Sequence, residues 1–325
     1  MSTTDAPLTP DALQRHWSLR LLPSWARPYG RLMRLERPVG WQLLLYPCLF
    51  GSLLASIALE APIAWNHLGL FFLGSIIMRG AGCTLNDVVD RDIDAKVART
   101  AQRPIPSGEV GARQAAIFLT GLLVAGFAIL VTFNMLTIAV GIGSLALIAI
   151  YPFMKRITNW PQLVLGLVFA WGALVGWTAQ VGTLSWELSG LWGPTNLAAP
   201  NAWAMVCAYF ACVLWIVGFD TIYAFQDLED DALAGVGSSA QALGRRAPLF
   251  ITFSYAAFIA LMGAAMAFVG AGILSFAGLV AALAHLAWQV KTLDLSDASG
   301  CLHRFRSNGR VGLLLTLGLA LDAFL

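Results

Sequence analysis

Two stretches of this sequence carry acidic and amide side chains at spacings that can grip a hard cation. N-D-V-V-D-R-D-I-D runs from Asn86 to Asp94, and D-T-I-Y-A-F-Q-D-L-E-D-D runs from Asp220 to Asp231. On a helix Asn86, Asp90 and Asp94 fall at i, i+4 and i+8, so they stack along one face, while Asp87 and Asp92 point elsewhere. Asp220, Asp227 and Asp231 fall at i, i+7 and i+11, again on one face, with Glu229 and Asp230 to the side. Like charges at such spacings destabilise a helix and call for a counter-charge. Oxygen-only ligands from carboxylates and one amide suit Mg²⁺, which keeps several waters and bridges to substrate phosphates. A diphosphate is therefore the expected third partner. A Ca²⁺ loop of the EF-hand kind is not supported, because the glycine spacing it needs is missing.

Cations follow the first acid row directly. In K-V-A-R-T-A-Q-R-P-I-P-S-G, Lys96, Arg99 and Arg103 precede Pro104 and Pro106, which end any helix. Guanidinium groups match phosphate geometry in a bidentate way. In Y-P-F-M-K-R, Tyr151 and Lys155 share a face at i, i+4. Arg79 sits within the apolar run F-F-L-G-S-I-I-M-R-G-A-G-C-T-L-N-D, seven residues before Asn86. Nearly two helical turns separate them, about 10 Å along the axis on one face. A charge at membrane depth faces a polar cavity, or else snorkels to the interface. The shared face with the acids favours the cavity.

The elements that position these groups are set by composition. Of 325 residues 58% are hydrophobic and 12% charged, and the mean hydropathy is +0.72. Soluble domains carry about 25% charged residues. A soluble enzyme and a disordered chain are excluded, and a net charge of +2 points to no nucleic-acid partner. Nine apolar runs are each read as a span of about 20 residues: 39–59, 67–86, 114–133, 135–152, 162–182, 203–224, 248–269, 271–290 and 310–325, the last being short. Short turns are expected near Asn134 and Gly270. With these spans, every lysine and arginine except Arg79 falls on one side, which the positive-inside rule makes cytoplasmic. The expected fold is all-α: a polytopic membrane protein whose nine-helix transmembrane bundle has two pseudo-repeated four-helix halves plus a last helix. The acid rows end the second and sixth spans, four apart in the count, so their faces are expected to meet.

Residues 1–37 form an N-terminal segment at the cytoplasmic interface, and 38–325 the transmembrane domain. Trp17, Leu21, Leu22 and Trp25 among arginines read as an amphipathic segment on the membrane surface, or as a disordered tail; no cleavable signal peptide is read. The five cysteines form no C-x-x-C pair and the four histidines have no metal-site spacing. The outer loop 183–202, with Trp186 and Trp192 and with Trp203 just beyond it, is expected at the outer interface.

Taken together, NDVVDRDID, RTAQRPIPSG, YPFMKR and DTIYAFQDLEDD resemble the UbiA superfamily of intramembrane aromatic prenyltransferases, and within it the branch acting on 4-hydroxybenzoate. The similarity runs from Arg34 to the C-terminus and includes R-L-E-R-P-V-G-W-Q-L-L-L-Y-P and F-R-S-N, Phe305 to Asn308. The resemblance implies a helical bundle with a central cavity opening to lipid, and a polyprenyl diphosphate donor held with Mg²⁺ between two Asp-rich motifs. It implies metal roles for Asn86, Asp90, Asp94, Asp227 and Asp231, with Asp220 in the second motif. Asp90, Asp227, Asn86 and Asp220 are the candidate catalytic groups. The implied mechanism has an acidic or amide group near Asn86 and Asp220 polarise the phenol or take the ring proton. Arg79 would hold the carboxylate of 4-hydroxybenzoate. Arg99, Arg103, Tyr151, Lys155 and Tyr223 complete the candidate substrate site. One position departs: relatives often carry lysine in G-x-K-S-T/S-A, whereas this chain reads G-V-G-S-S-A, with Gly237 there.

The implied reaction is Mg²⁺-dependent transfer of a polyprenyl group to carbon 3 of 4-hydroxybenzoate in ubiquinone biosynthesis. The implied location is a bacterial inner (cytoplasmic) membrane, with the N-terminus and site on the cytoplasmic face. Two other readings stay open: a UbiA-type enzyme with another acceptor, such as haem, homogentisate, naphthoate or chlorophyllide, and a transporter, whose charged groups would lie nearer the membrane midplane.

Overall fold

The structure, a computed structural model, describes residues 16–95, 100–182, 200–228 and 237–325. No strand occurs among the described residues, and nine helices of 19 to 27 residues dominate. They are α1 (Pro38–Ala58), α2 (Trp65–Val89), α3 (Ala112–Leu130), α4 (Met135–Ile157), α5 (Pro161–Val181), α6 (Pro200–Ala224), α7 (Ala247–Phe268), α8 (Ile273–Lys291) and α9 (Ala298–Phe324). At 1.5 Å per residue each reaches about 30 Å, the thickness of a hydrocarbon core. The protein is thus an all-helical polytopic membrane protein.

Seven of these stretches are long and apolar enough to cross a bilayer. The other two are α4, in which Met135–Tyr151 is a shorter apolar stretch, and α9. The expected 310–325 span needs correction: α9 starts at Ala298, because Asp297 caps it by accepting from the Gly300 N–H at 2.9 Å. Phe305 to Asn308 therefore lie within this helix rather than before it. The turns near Asn134 and Gly270 are both present. Asn134 accepts from the Thr137 N–H at 3.0 Å to start α4, and Gly270 takes φ +69°, which favours glycine.

The chain divides into two compact units. In the first, residues 16–41 and 72–129, Leu32, Val110 and Ala115 are buried, with Tyr29, Val88, Ile105 and Phe118 packed against them. This apolar knot ties residues 27–32, the end of α2 and the start of α3 together. The basic loop 100–111 is thereby held beside the acid-bearing helix end.

In the second unit, residues 42–71 and 130–325, the core is built around Trp215 of α6. Its indole packs against Phe50, Phe219 and Phe258, with ring centroids 5.5 to 6.1 Å apart. Its N–H donates to Asn308 Oδ1 of α9 at 2.8 Å. Gln289 of α8 accepts from Tyr255 OH at 3.0 Å and donates to Ser307 Oγ at 2.9 Å. A buried polar network of this kind joins helices whose apolar faces alone would not fix their register. Elsewhere α1 and α5 approach backbone to backbone at Gly51 and Gly176, where no Cβ would fit.

Candidate functional site

The first acid row sits at the end of α2. The helix breaks at Asp90, but the backbone bonds continue: Asp90 N–H to Asn86 C=O and Asp94 N–H to Asp90 C=O, each 2.8 Å. The i, i+4, i+8 spacing therefore survives into the short helix Arg91–Asp94. Asn86 and Asp90 are half-buried and Asp94 is buried. Arg103 donates to Asp94 Oδ2 at 2.7 Å, which brings one basic-loop cation onto the row. Burial pushes the Asp94 carboxyl above its ordinary value, and the Arg103 charge only partly offsets this.

Asp87 points off the row, as its spacing implies, and what it meets there is a pair of cations. It is 1% exposed and accepts from Arg34 Nη2 at both oxygens, 2.7 and 2.9 Å, and from Arg103 Nη1 at 3.2 Å. Burial alone would weaken the Arg34 charge. The neighbouring Asp87 carboxylate, together with Cys83 and Glu36, more than offsets that, so the guanidinium stays charged. Asp92 does face outward, with 84% of its side chain exposed. The Arg34–Asp87 pair escaped the sequence reading because Arg34 counted only as one of six N-terminal anchors. Its signal was a second carboxylate beside Asn86 inside an apolar helix, which requires a partner.

Arg79 is half-buried on α2 against the start of α1, where a Cβ on Gly40 would lie 2.8 Å from Arg79 Nε. Glycine at 40 thus makes room for the guanidinium.

The second motif closes α6. Asp220 is half-buried, and Thr221 beside it is fully buried. Tyr223 packs against Phe305 of α9 with ring centroids 4.6 Å apart and planes tilted by 48°. The chain then tightens into the turn Phe225–Asp227. Gln226 Oε1 is buried without a hydrogen-bond partner among the described residues; the sequence reading assigned it nothing. Tyr151 is half-buried on α4, and Lys155 lies one turn further along that helix. Lys96, Arg99, Glu229, Asp230 and Asp231 lie outside the described residues, as do the side chains of Lys155 and Asp227. Among the described residues no three Asp, Glu, His or Cys side chains converge on one point as a metal site.

The chemistry of the donors is the available test of a metal. Both motifs offer hard oxygens only, and the buried Gln226 oxygen adds another beside Asp227. That set fits Mg²⁺ and not a soft ion.

Residues 44–314 match the profile of the UbiA prenyltransferase family. The chain is 42% identical over 302 residues to the mitochondrial 4-hydroxybenzoate polyprenyltransferase of Aedes aegypti, covering 90% of this chain and 63% of that protein. It is 40% identical over 319 residues to the Drosophila melanogaster protein of the same name, covering 97% and 76%. The Homo sapiens protein of that name is 42% identical over 304 residues, covering 92% and 76%. Among solved structures, a UbiA homolog from Aeropyrum pernix superposes with a TM-score of 0.71 at 24% identity, covering 86% of this chain and 97% of that one. A UbiA homolog from Archaeoglobus fulgidus bound to GPP and Mg²⁺ gives 0.57 at 16% identity, covering 89% and 99%. These two likenesses concern the fold.

Proposed function

We infer that this chain, which belongs to the UbiA prenyltransferase family, transfers a polyprenyl group from a polyprenyl diphosphate to carbon 3 of 4-hydroxybenzoate, a step of ubiquinone biosynthesis. The observation that carries this reading is identity of 40 to 42% with proteins named for that reaction, over 90 to 97% of the chain. The two acidic motifs supply the matching chemistry.

Asn86, Asp90, Asp94, Asp227 and Asp231 would hold Mg²⁺, with Asp220 supporting the second motif. Bound there, the ion supplies Lewis-acid neutralisation of the diphosphate charge. The remaining steps fall to the chain itself. Arg99, Arg103 and Lys155 bind diphosphate oxygens while the allylic C–O bond breaks and pyrophosphate leaves. Arg79 holds the benzoate carboxylate, orienting the ring so that the carbon ortho to the hydroxyl meets the allylic carbon. Asn86 and Asp220 polarise the phenol or accept the ring proton as the new C–C bond forms. Tyr151 and Tyr223 flank the aromatic acceptor. Apolar helix faces keep water from quenching the allylic cation.

The protein is integral to a membrane. Its finer placement, in a bacterial inner (cytoplasmic) membrane with the motifs on the inner face, is proposed from the bias of lysine and arginine to one set of loops. The relatives named above are mitochondrial, and the charge argument applies to the inward face in either setting. Nine membrane crossings are proposed on the same ground. The segment 1–37 is proposed to lie on that face; in its described part Trp17, Leu21 and Trp25 are 66 to 76% exposed beside Arg20 and Arg27.

The test uses the purified full chain with Mg²⁺, a polyprenyl diphosphate and a panel of aromatic acceptors. The expected products are pyrophosphate and 3-polyprenyl-4-hydroxybenzoate. Preference for another acceptor would overturn the substrate assignment. Full activity in Asp90→Ala or Asp227→Ala would overturn the metal assignment. Uptake of a solute without pyrophosphate release would turn the reading to a transporter.

A further inference from the structure

Beyond the second acidic motif the described chain resumes at Gly237 and is buried at once, Ser238 being 1% and Ser239 0% exposed. Three contacts pin this short rung, all within the second unit. A Cβ on Gly237 would lie 2.5 Å from Thr158 O, 2.6 Å from Asn159 Oδ1 and 3.0 Å from Asn159 Cα. Two of those atoms are backbone and cannot swing aside. The Ser239 N–H donates to Oε1 of the buried Gln162 at 3.0 Å, in the first turn of α5. The Ser239 and Thr221 hydroxyls share a hydrogen bond of 3.0 Å, and Thr221 follows Asp220 on α6. Gly237 and Ser239 therefore tie the α4–α5 turn, the start of α5 and the acid-bearing end of α6 together.

We propose that Gly237 is a positioning residue: by carrying no side chain it lets the Thr158–Asn159 turn close on this rung, setting the α4 end that bears Lys155 against the α6 end that bears Asp220 and Asp227. The assignment of a diphosphate to this place rests on the function proposed above. Retreat of the rung from an added Cβ would strain the hydrogen bonds that hold Ser239 to Gln162 and Thr221. A lysine at 237 would force the turn away. The cation on this side of the diphosphate is then Lys155, carried by the turn that the glycine admits, and not a residue of the rung.

The test compares Gly237→Ala and Gly237→Lys in the full chain, with Gly121→Ala as control, since a Cβ at Gly121 meets nothing within 4 Å. Displacing an aligned group by about an ångström costs up to roughly a hundredfold, so KM for the polyprenyl diphosphate should rise at least tenfold (about 1.4 kcal/mol). KM for the aromatic acceptor should stay within about twofold, and Gly121→Ala should match wild type. Asn159→Gly placed in the Gly237→Ala background should recover part of the loss, because it removes one of the obstructing atoms. If either Gly237 variant fails to yield monodisperse protein, Gln162→Ala, which loosens the rung without adding bulk, carries the test with the same donor-selective result expected. Unchanged or tighter donor binding in Gly237→Lys, or equal shifts in both KM values in all variants, would overturn the proposal. Binding of Mg²⁺–pyrophosphate, measured by calorimetry on the same variants, separates the two readings. It weakens with Gly237→Ala if the positioning role is right, even where the acceptor proves to be something other than 4-hydroxybenzoate.

Discussion

The Arg34 guanidinium grips both oxygens of Asp87, at 2.7 and 2.9 Å, with the two side chains 10% and 1% exposed. Arg34 stands just before α1 in a left-handed backbone conformation, φ 57°, and Asp87 stands one residue beyond the start of the acid row. The same carboxylate also takes Arg103 of the basic loop. One buried charge therefore organises two arginines from distant parts of the sequence around the end of α2.

Removing Asp87 leaves the buried Arg34 charge without its carboxylate, a loss of about 3–5 kcal/mol, whereas removing Arg34 leaves Asp87 with its Arg103 contact at 3.2 Å and costs less. Asp87→Ala and, to a lesser degree, Arg34→Met should lower the unfolding midpoint of the detergent-solubilised protein. Arg34→Met combined with Asp87→Leu should recover much of the loss. Additive losses in the double variant would show that the pair is not coupled.

Arg79→Ala separates acceptor binding from donor binding. A charge-assisted hydrogen bond to a carboxylate contributes about 1.5–3 kcal/mol, which is roughly ten- to a hundredfold in acceptor KM. Donor KM should be unaffected. Normal acceptor affinity in this variant would remove the carboxylate role and leave the rest intact.

Asn308 anchors α9 through the Trp215 N–H. Asn308→Leu strands that N–H in the core, a cost of about 1–3 kcal/mol. Phe305, one turn away, should lose its ring contact with Tyr223. Thermal denaturation and tryptophan fluorescence should report both changes. A variant as stable as wild type would mean that a neighbouring group takes the indole.

The start of α9 should respond to acid. The Gly300 N–H and the Ser299 hydroxyl hold the Asp297 carboxyl below its ordinary value of 3.8. A lowered carboxylate pKa adds stability that is present above the unfolded value and is lost as pH falls through the folded one. Protection of the Gly300 amide, corrected for its intrinsic exchange rate, should therefore fall below about pH 4, and Asp297→Asn should weaken that dependence. Protection that is flat with pH in the wild type would show that the cap carries no charge effect.

The helices were legible from composition because burial in lipid demands about 20 apolar residues in a row. For α1 the expected 39–59 became 38–58, and for α5 the expected 162–182 became 161–181. The start of α9 was hidden, since its first half, Ala298 to Arg310, is too polar to count as a span. It is held as helix by Asp297 and by the Asn308, Gln289 and Trp215 contacts, none of which is local in sequence except the cap. Gly237 read as the absence of an expected lysine, and only the approach of Thr158 explained it.

Apolar run length, charge bias and the i, i+4, i+8 spacing depend on neighbours along the chain, so the order of residues was enough to reveal an all-helical membrane protein with two oxygen-rich helix ends. Which aspartate of a pair serves structure and which is left for the row depends on the direction of each side chain around the helix. Residues three apart diverge by about 60°, and Arg34, which meets Asp87, comes from 53 positions away. Asp87 and Asp90 carry the same functional group; only packing told them apart, by placing Arg34 against the first.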